Sequence, residues 1–251
     1  MAAGVDAEKR VEAYITNVEL VLERLEGRLG EPYSRLLRLA RLYASDARYY
    51  LDRGDVFTAL ACIAYAEGLV DALRHLGVAE VDWEPLSRLL ERPRVVVAGT
   101  FDILHPGHIH LLREAWRRGR VYVIVARDSS VERVKGRPPI VPEEQRLAVV
   151  SAVRYVAEAR LGDPRDYLKP LEEIRPHVVL LGPDQWPREE ELEEELRRRG
   201  VEARVVRLPE RLDCPLCSST RIACRAAEVM RGRCGAGSRS EDNGPRVARG
   251  V

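Results

Sequence analysis

The sequence predicts a doubly wound α/β domain built on a five-stranded parallel sheet, preceded by a small all-α helical bundle. Three observations carry this. Residues from about 5 to 91 show only a helical period; after Pro93, short Val- and Leu-rich runs alternate with helical stretches; and those runs lack polar alternation, as strands buried on both faces do.

In the first part, Val11, Ile15, Val18, Leu22, Leu25 and Leu29 step by four and three, a stripe that ends at Gly30 with Pro32 beyond it. A second helix presents Leu36, Leu39, Tyr43, Ala47 and Tyr50 on one face and stops at Arg53 and Gly54. The third, over 56–76, is apolar nearly all round as far as Ala66, which predicts a place between its neighbours. Three antiparallel helices with short glycine-containing turns make a bundle. The tyrosine-rich face of the second helix reads as core, with a binding surface as the alternative.

In the second part we read strands at 94–98, 121–126, 155–161, 178–182 and 203–208, with helices near 107–118, 142–153, 166–174 and 188–199. In such a Rossmann-like domain the ligand lies outside the carboxyl ends of the strands. Residues 100–108 follow the first strand, Arg127 and Asp128 the second, and Asp184 the fourth, so they meet at one edge. Past Met230 the apolar period stops, and a flexible tail is expected. The division is therefore 1–91, a helical bundle; 92–230, the α/β domain; and 231–251, the tail.

The chain has 251 residues and a net charge of +1, so bulk electrostatics gives no affinity for polyanions and nucleic acid is not the expected partner. No apolar run approaches the roughly 20 residues that span a bilayer, and the N-terminus lacks the basic start and apolar middle of a secretory signal. The expectation is a soluble, cytoplasmic protein. Only Lys9, Lys135 and Lys169 are lysines among 41 basic residues, so Lys135 beside Gly136, in a Pro-rich loop, stands out as a compact ammonium suited to phosphate.

The first strand opens through Gly99 into Thr100, Phe101, Asp102, Ile103, Leu104, His105, Pro106, Gly107 and His108. A strand that passes through a polar loop into a helix puts N–H groups and a helix dipole where a phosphate can sit, and histidines at i and i+3 can face it. Nucleotidyl transfer passes through a crowded α-phosphorus whose oxygens redistribute charge; fixed donors lower that barrier, and a phosphate acceptor needs no general base. Gly107 would let the main chain approach the nucleotide closely. Zinc ligation by His105, His108 and His110 is the alternative, although a Gly-containing turn after a strand suits phosphate better. His110 is expected to face solvent or pack on its helix.

The stretch from Gly99 to His108 resembles the HxGH signature of the cytidylyltransferase-like nucleotidyltransferases, in particular the archaeal FAD synthetase branch. The resemblance continues through Ala126-Arg-Asp128, Lys135-Gly-Arg-Pro138, Pro142-Glu-Glu-Gln-Arg146, Leu181-Gly-Pro-Asp184 and Ser218-Ser-Thr-Arg221, in the family's order over about 93–230. It implies the HxGH nucleotidyltransferase fold, with His105 and His108 at the α-phosphoryl transition state and Lys135 on phosphate. It further implies a nucleotide site that includes Gly99, Thr100, Phe101, Gly107 and Asp184. Ser218, Ser219 and Thr220 would hold the triphosphate, with Arg221 toward the outgoing pyrophosphate. From the residues alone, the Ser/Thr run is better read as a helix cap, though capping and binding can coexist, and Asp184 reads equally as a turn residue. Tyr65-Ala-Glu-Gly-Leu-Val-Asp-Ala-Leu-Arg74 resembles a helical domain of unknown function found in archaeal proteins.

Two departures count against a cytidine-alcohol substrate. The segment from Arg211 to Cys217 stands where cytidylyltransferases carry Arg-Thr-Glu-Gly, and Ala157 follows Arg154-Tyr-Val where they carry Asp. Cys214 and Cys217 form a CxxC with Cys224 and Cys234 downstream. A zinc site is one reading, a disulfide is disfavoured in a reducing compartment, and a redox effect on the adjacent triphosphate loop is a third.

The expected function is transfer of a nucleotide monophosphate from an NTP, with Mg²⁺, to a phosphate-bearing acceptor; the resemblance implies ATP and FMN. The runner-up is a cytidylyltransferase acting on an alcohol phosphate such as glycerol 3-phosphate. A different class of reading is a non-catalytic nucleotide sensor or partner-binding protein. Homodimerisation and a protein partner for the helical domain are left open by the sequence.

Overall fold

The computed structural model describes residues 7–236, which divide between Arg92 and Pro93 into two compact units. The first unit holds α1 (Ala7–Leu25), α2 (Tyr33–Leu51), α3 (Val56–His75) and the short α4 (Leu86–Leu90). The helix α1 ends before the apolar stripe does, because Gly27 takes a left-handed φ of 70° two residues past Leu25. Its Ile15, Val18 and Leu22 pack with Ala40, Ala44 and Ala47 of α2 and with Ala59, Ile63, Ala66 and Val70 of α3. Alanines along α2 let the helices approach closely. Asp55 caps α3, its carboxylate accepting from the Thr58 N–H at 3.0 Å.

Two expectations are corrected here. The helix α3 is not enclosed by its neighbours, since Phe57 is 88% exposed and Leu60 and Tyr65 face outward as well. By length and composition α3 is also apolar enough to cross a membrane, with a mean hydropathy of 1.6, whereas the sequence reading found no such run. Its stripe from Ala59 through Ile63 and Ala66 to Leu73 is nevertheless buried in the bundle core. On α2, Tyr43 packs against that core while Tyr49 is exposed beneath the Arg53 guanidinium.

The second unit is a five-stranded, all-parallel sheet in the order β3-β2-β1-β4-β5. Its strands are β1 (Arg94–Gly99), β2 (Arg120–Val125), β3 (Val156–Leu161), β4 (Val178–Leu181) and β5 (Arg204–Arg207). Alternation assigns side chains to the two faces. Val96, Ile124, Val179, Leu181 and Val205 pack under Leu171 and Ile174 of α8 (Lys169–Ile174) and Leu192 and Leu196 of α9 (Glu189–Arg198). On the other face lie Val95, Val97 and Val123, with buried Leu112 and Ala115 of α5 (Pro106–Arg118) and Val150 of α7 (Glu143–Ser151) completing that layer. The central strands are apolar on both sides, which is why they carry no polar alternation.

The order reverses between β1 and β4, and Gly99 pairs in register with Val125, so both strands end at one level beside that reversal. Two further helices complete the unit. The polar α6 (Asp128–Lys135) was not foreseen, and α10 (Ser219–Ala236) runs past Met230, where the tail was expected to begin. The remainder of 231–251 lies outside the described residues.

Candidate active site

The loop after β1 is shaped by a few fixed points. Phe101 holds a left-handed φ of 50°, unusual for a residue with a Cβ, and its buried ring lies 5.1 Å from that of His108. Asp102 is buried, and one of its carboxylate oxygens accepts from the Ile140 and Val141 N–H groups, each at 2.8 Å, tying the strand exit to the segment before α7. His105 stands as N-cap of α5 with Pro106 in the first helical position. Its carbonyl accepts from His108 N at 2.9 Å and Ile109 N at 3.3 Å, and proline has no N–H, so the Gly107 N–H is left to face outward.

The rings of His105 and His108 stack with centroids 3.8 Å apart, and the Nδ1 of each is buried without a protein partner. A Cβ at residue 107 would come within 3.1 Å of the His105 ring. His105 thus adds its own reason for glycine at this position. Burial pushes the His108 pKa down to about 4, with His105 and the Lys135 ammonium acting in the same direction and a hydrogen bond to the Ile103 backbone opposing. Burial lowers His105 as well. Both imidazoles are neutral near pH 7, so they offer N–H donors, and positive charge comes from elsewhere.

Lys135 supplies part of it. It is the last residue of α6, not a loop residue, and Gly136 closes the helix at a φ of 67°. The Lys135 ammonium donates to the Thr100 hydroxyl at 3.0 Å. Partial burial lowers its pKa, with Arg137 and Arg146 pushing the same way and Asp102 opposing. Beneath this layer Arg146 is only 1% exposed. Its guanidinium donates to the carbonyls of Thr100, Val141 (2.8 Å) and Ala126 (2.7 Å) and to the Asp128 carboxylate (2.6 Å), joining the ends of β1 and β2 to α6 and the segment before α7.

The facing wall comes from the N-terminus of α10 and the loops after β4 and β5. The Ser219 hydroxyl exchanges hydrogen bonds with the Ile103 N–H and carbonyl, both at 3.3 Å, which seats α10 on the histidine loop. Asp184 pairs with Arg211 across the rim. The two walls enclose a cleft of about 780 Å³. Gly99, Thr100, Phe101, His105, Gly107, His108, Lys135, Asp184, Ser218, Ser219 and Thr220 all line it. Arg221 does not; it is exposed on α10. His110, expected to face solvent or pack on its helix, also lines the cleft, and its Nδ1 is buried without a partner. Trp186 is the cleft residue that sequence reasoning passed over; Arg146 and Asp102 stood within the motif blocks, but their buried hydrogen bonds could not be read from them.

Cys214 and Cys217 are joined by a disulfide, the pairing the sequence reading disfavoured. It belongs to the segment that enters Ser218, and Cys217 lines the cleft. Cys224 is free and exposed, and among the described residues no three His, Cys, Asp or Glu side chains gather as a metal site.

A doubly wound sheet with a strand-to-helix histidine loop, a lysine and a hydroxyl-rich helix start around one cleft defines a domain for handling phosphoryl groups. The sequence model of the cytidylyltransferase-like family matches residues 96–225, over half of the chain, and the chain belongs to that family. It is a nucleotidyltransferase. A second model, for a protein of unknown function (DUF357), matches residues 13–79. The chain is 51% identical over 142 residues to an FAD synthase of Archaeoglobus profundus, covering 56% of this chain and 90% of that one. An FAD synthase of Methanohalophilus mahii is 49% identical over 140 residues, 55% of this chain and 96% of its own. One of Archaeoglobus fulgidus is 50% identical over 140 residues, 55% of this chain and all of its own.

Proposed function

We propose that the protein is an FMN adenylyltransferase, joining ATP and FMN to form FAD and pyrophosphate. The observation that carries this is identity near one half to FAD synthases over 90–100% of their own lengths. An FMN phosphate oxygen attacks the ATP α-phosphorus, a P–O bond forms, and the bond to the β-phosphate oxygen breaks with pyrophosphate leaving. The nucleophile is already an anion, so no proton has to be removed.

In this reading the neutral His105 and His108 donate to the α-phosphoryl oxygens, and the outward Gly107 N–H adds a third donor at the start of α5. Lys135, placed on Thr100, meets the charge that passes between acceptor and leaving group. Ser218, Ser219 and Thr220 receive the β- and γ-phosphates at the start of α10, whose dipole favours them. Asp184 would contact the nucleotide on releasing Arg211, and that freed guanidinium lies nearer the cleft than Arg221. Mg²⁺ would be held by the triphosphate oxygens, since it takes phosphate and water readily and the cleft gathers no carboxylate cage. Bound there it would neutralise the departing pyrophosphate. The chain would act in the cytoplasm, where both substrates are made.

The test is pyrophosphate release with ATP or CTP, Mg²⁺, and FMN or glycerol 3-phosphate, comparing wild type with His108→Ala. Turnover of ATP with FMN that the substitution abolishes is expected. Turnover of CTP with glycerol 3-phosphate would replace the reading with the alcohol-phosphate one, and silence with every pair would return it to a nucleotide-binding role.

A further inference from the structure

Trp186 stands at the mouth of the cleft with 74% of its surface exposed. An indole that open is ordinarily a feature of a mobile or an interacting segment. The segment carrying it is held at many points. The Gln185 side chain donates to the Ala98 carbonyl at 2.7 Å and accepts from the Gly182 N–H at 2.5 Å. Arg207 donates to the carbonyls of Gly182 (3.1 Å), Gln185 (2.6 Å) and Pro187 (2.8 Å), and Glu189 holds the guanidinium in turn at 2.8 Å.

The result is an exposed ring on a fixed pedestal. Its aromatic neighbour is Tyr167, whose ring centroid lies 5.8 Å away at 55°, a tilted contact that leaves most of the indole open. The Tyr167 hydroxyl is anchored to Glu195, so this side of the ring is fixed as well. The pedestal leaves β4 at the reversal of strand order, where a doubly wound sheet receives its ligand. Nothing in packing calls for the indole at that point, because at 74% exposed it belongs to no buried core.

We propose that Trp186 is a stacking platform for a heteroaromatic ring of one substrate, and thereby a specificity-determining residue of the cleft; this rests on the nucleotidyl-transfer reading above. Two rings fit that chemistry, the purine of the nucleotide and the fused ring of the flavin acceptor. Either has a π-face that stacks on indole, and neither glycerol phosphate nor bare triphosphate has one. Stacking alone reads no edge pattern, so it selects for a planar ring and leaves the choice among rings to the rim polar groups.

The experiment uses the full chain with Mg²⁺, as wild type, Trp186→Ala and Trp186→Phe. Trp116 is buried and Trp83 donates its Nε1–H to Asp71 at 2.9 Å, so both serve as internal references for indole emission. In one arm, protein emission is followed with ATP and with inorganic tripolyphosphate. In the other, with α,β-methylene ATP present, flavin emission is followed on adding FMN, and glycerol 3-phosphate is tested as a competitor. The expected result is an emission change with one ring-bearing ligand that Trp186→Ala abolishes and Trp186→Phe partly keeps. The KM for that substrate rises about five- to a hundredfold while kcat stays near wild type.

The ligand that responds identifies the ring. Equal emission changes in wild type and Trp186→Ala, with both KM values unmoved, would overturn the platform. Pyrophosphate release by wild type is measured separately, so if ATP and FMN give no product the functional reading falls while the binding arms still decide on Trp186.

Discussion

The imidazoles of His105 and His108 lie face to face, centroids 3.8 Å apart and planes 20° from parallel, at the opening of α5. Burial lowers the pKa of both and His105 adds to the lowering of His108, so near pH 7 the cleft presents two neutral imidazoles and one ammonium in place of three cations. An anionic phosphate bound beside them would oppose that, because an anion favours the imidazolium it faces.

Linkage makes this visible without substrate. The His108 pKa is pushed down to about 4 in the folded chain against 6.5 as its ordinary value, and His105 is lowered in the same sense. As pH falls the unfolded chain takes up these protons first, so stability is fully present above about 6.5 and is lost on the descent toward 4. We expect His108→Asn to be spared up to about 2 kcal/mol of the stability that wild type loses between pH 7 and pH 5. Urea titrations at the two pH values measure it; parallel losses in both proteins would sink the idea.

The disulfide between Cys214 and Cys217 leads directly into Ser218, and Cys217 itself borders the cleft. Opening it frees the entry to α10, where the triphosphate is proposed to bind. Reduction followed by alkylation should raise the KM for the nucleoside triphosphate several-fold, about 1 kcal/mol of binding. The chain carries three further cysteines, Cys62, Cys224 and Cys234, so the comparison is made in a background with all three replaced by Ser. Unchanged turnover after alkylation would dismiss a role for the pair.

Much of this was legible in the sequence, for physical reasons that differ by element. Val-rich runs such as residues 95–97 and 121–125 have no soluble alternative to a buried strand, so all five strands were found to within a residue or two. The helices α1 to α3 announce themselves by period. By contrast α6, reading Asp-Ser-Ser-Val-Glu-Arg-Val-Lys, buries only Val131 and has no stripe to detect, which is why Lys135 was read as a loop residue. The histidine motif carried its chemistry in its spacing. Arg146 closed one block of the resemblance, but its buried place could not be told from the residue alone, since one arginine among 41 basic residues looks like its solvated fellows until the acceptors around it are seen. The outward face of α3 was misjudged because an apolar helix looks the same whether neighbours cover it or not.

Lys135 gives a sharper test of the site than the histidines, because its partner is a single hydroxyl. The ammonium sits 3.0 Å from the Thr100 hydroxyl and a guanidinium could not take that position without displacing the loop. Lys135→Ala should lower kcat/KM by about a hundredfold, near 2.7 kcal/mol, as loss of one fixed charge at a developing anion does. Lys135→Arg should recover little of it. Full rescue by arginine in steady-state assays would mean that bulk positive charge, and not placement, is what the cleft requires.

Arg146 tests whether the cleft depends on the layer beneath it. Its guanidinium satisfies the carbonyls of Thr100, Ala126 and Val141 and the Asp128 carboxylate from a position 1% exposed. Arg146→Met fills much of the volume but leaves those carbonyls facing an apolar side chain, which costs about 1–3 kcal/mol for each buried acceptor left unpaired. Arg146→Lys keeps the charge, reaches fewer acceptors, and should fall between. Denaturant unfolding gives the stabilities. At temperatures where the lysine variant is folded, its KM for the phosphate-bearing substrates should still rise, because Thr100 and through it Lys135 lose their reference point. A methionine variant within about 1 kcal/mol of wild type would show that the carbonyls find water or new partners. In that case the floor of the cleft is organised by the Asp102 bonds to Ile140 and Val141 instead.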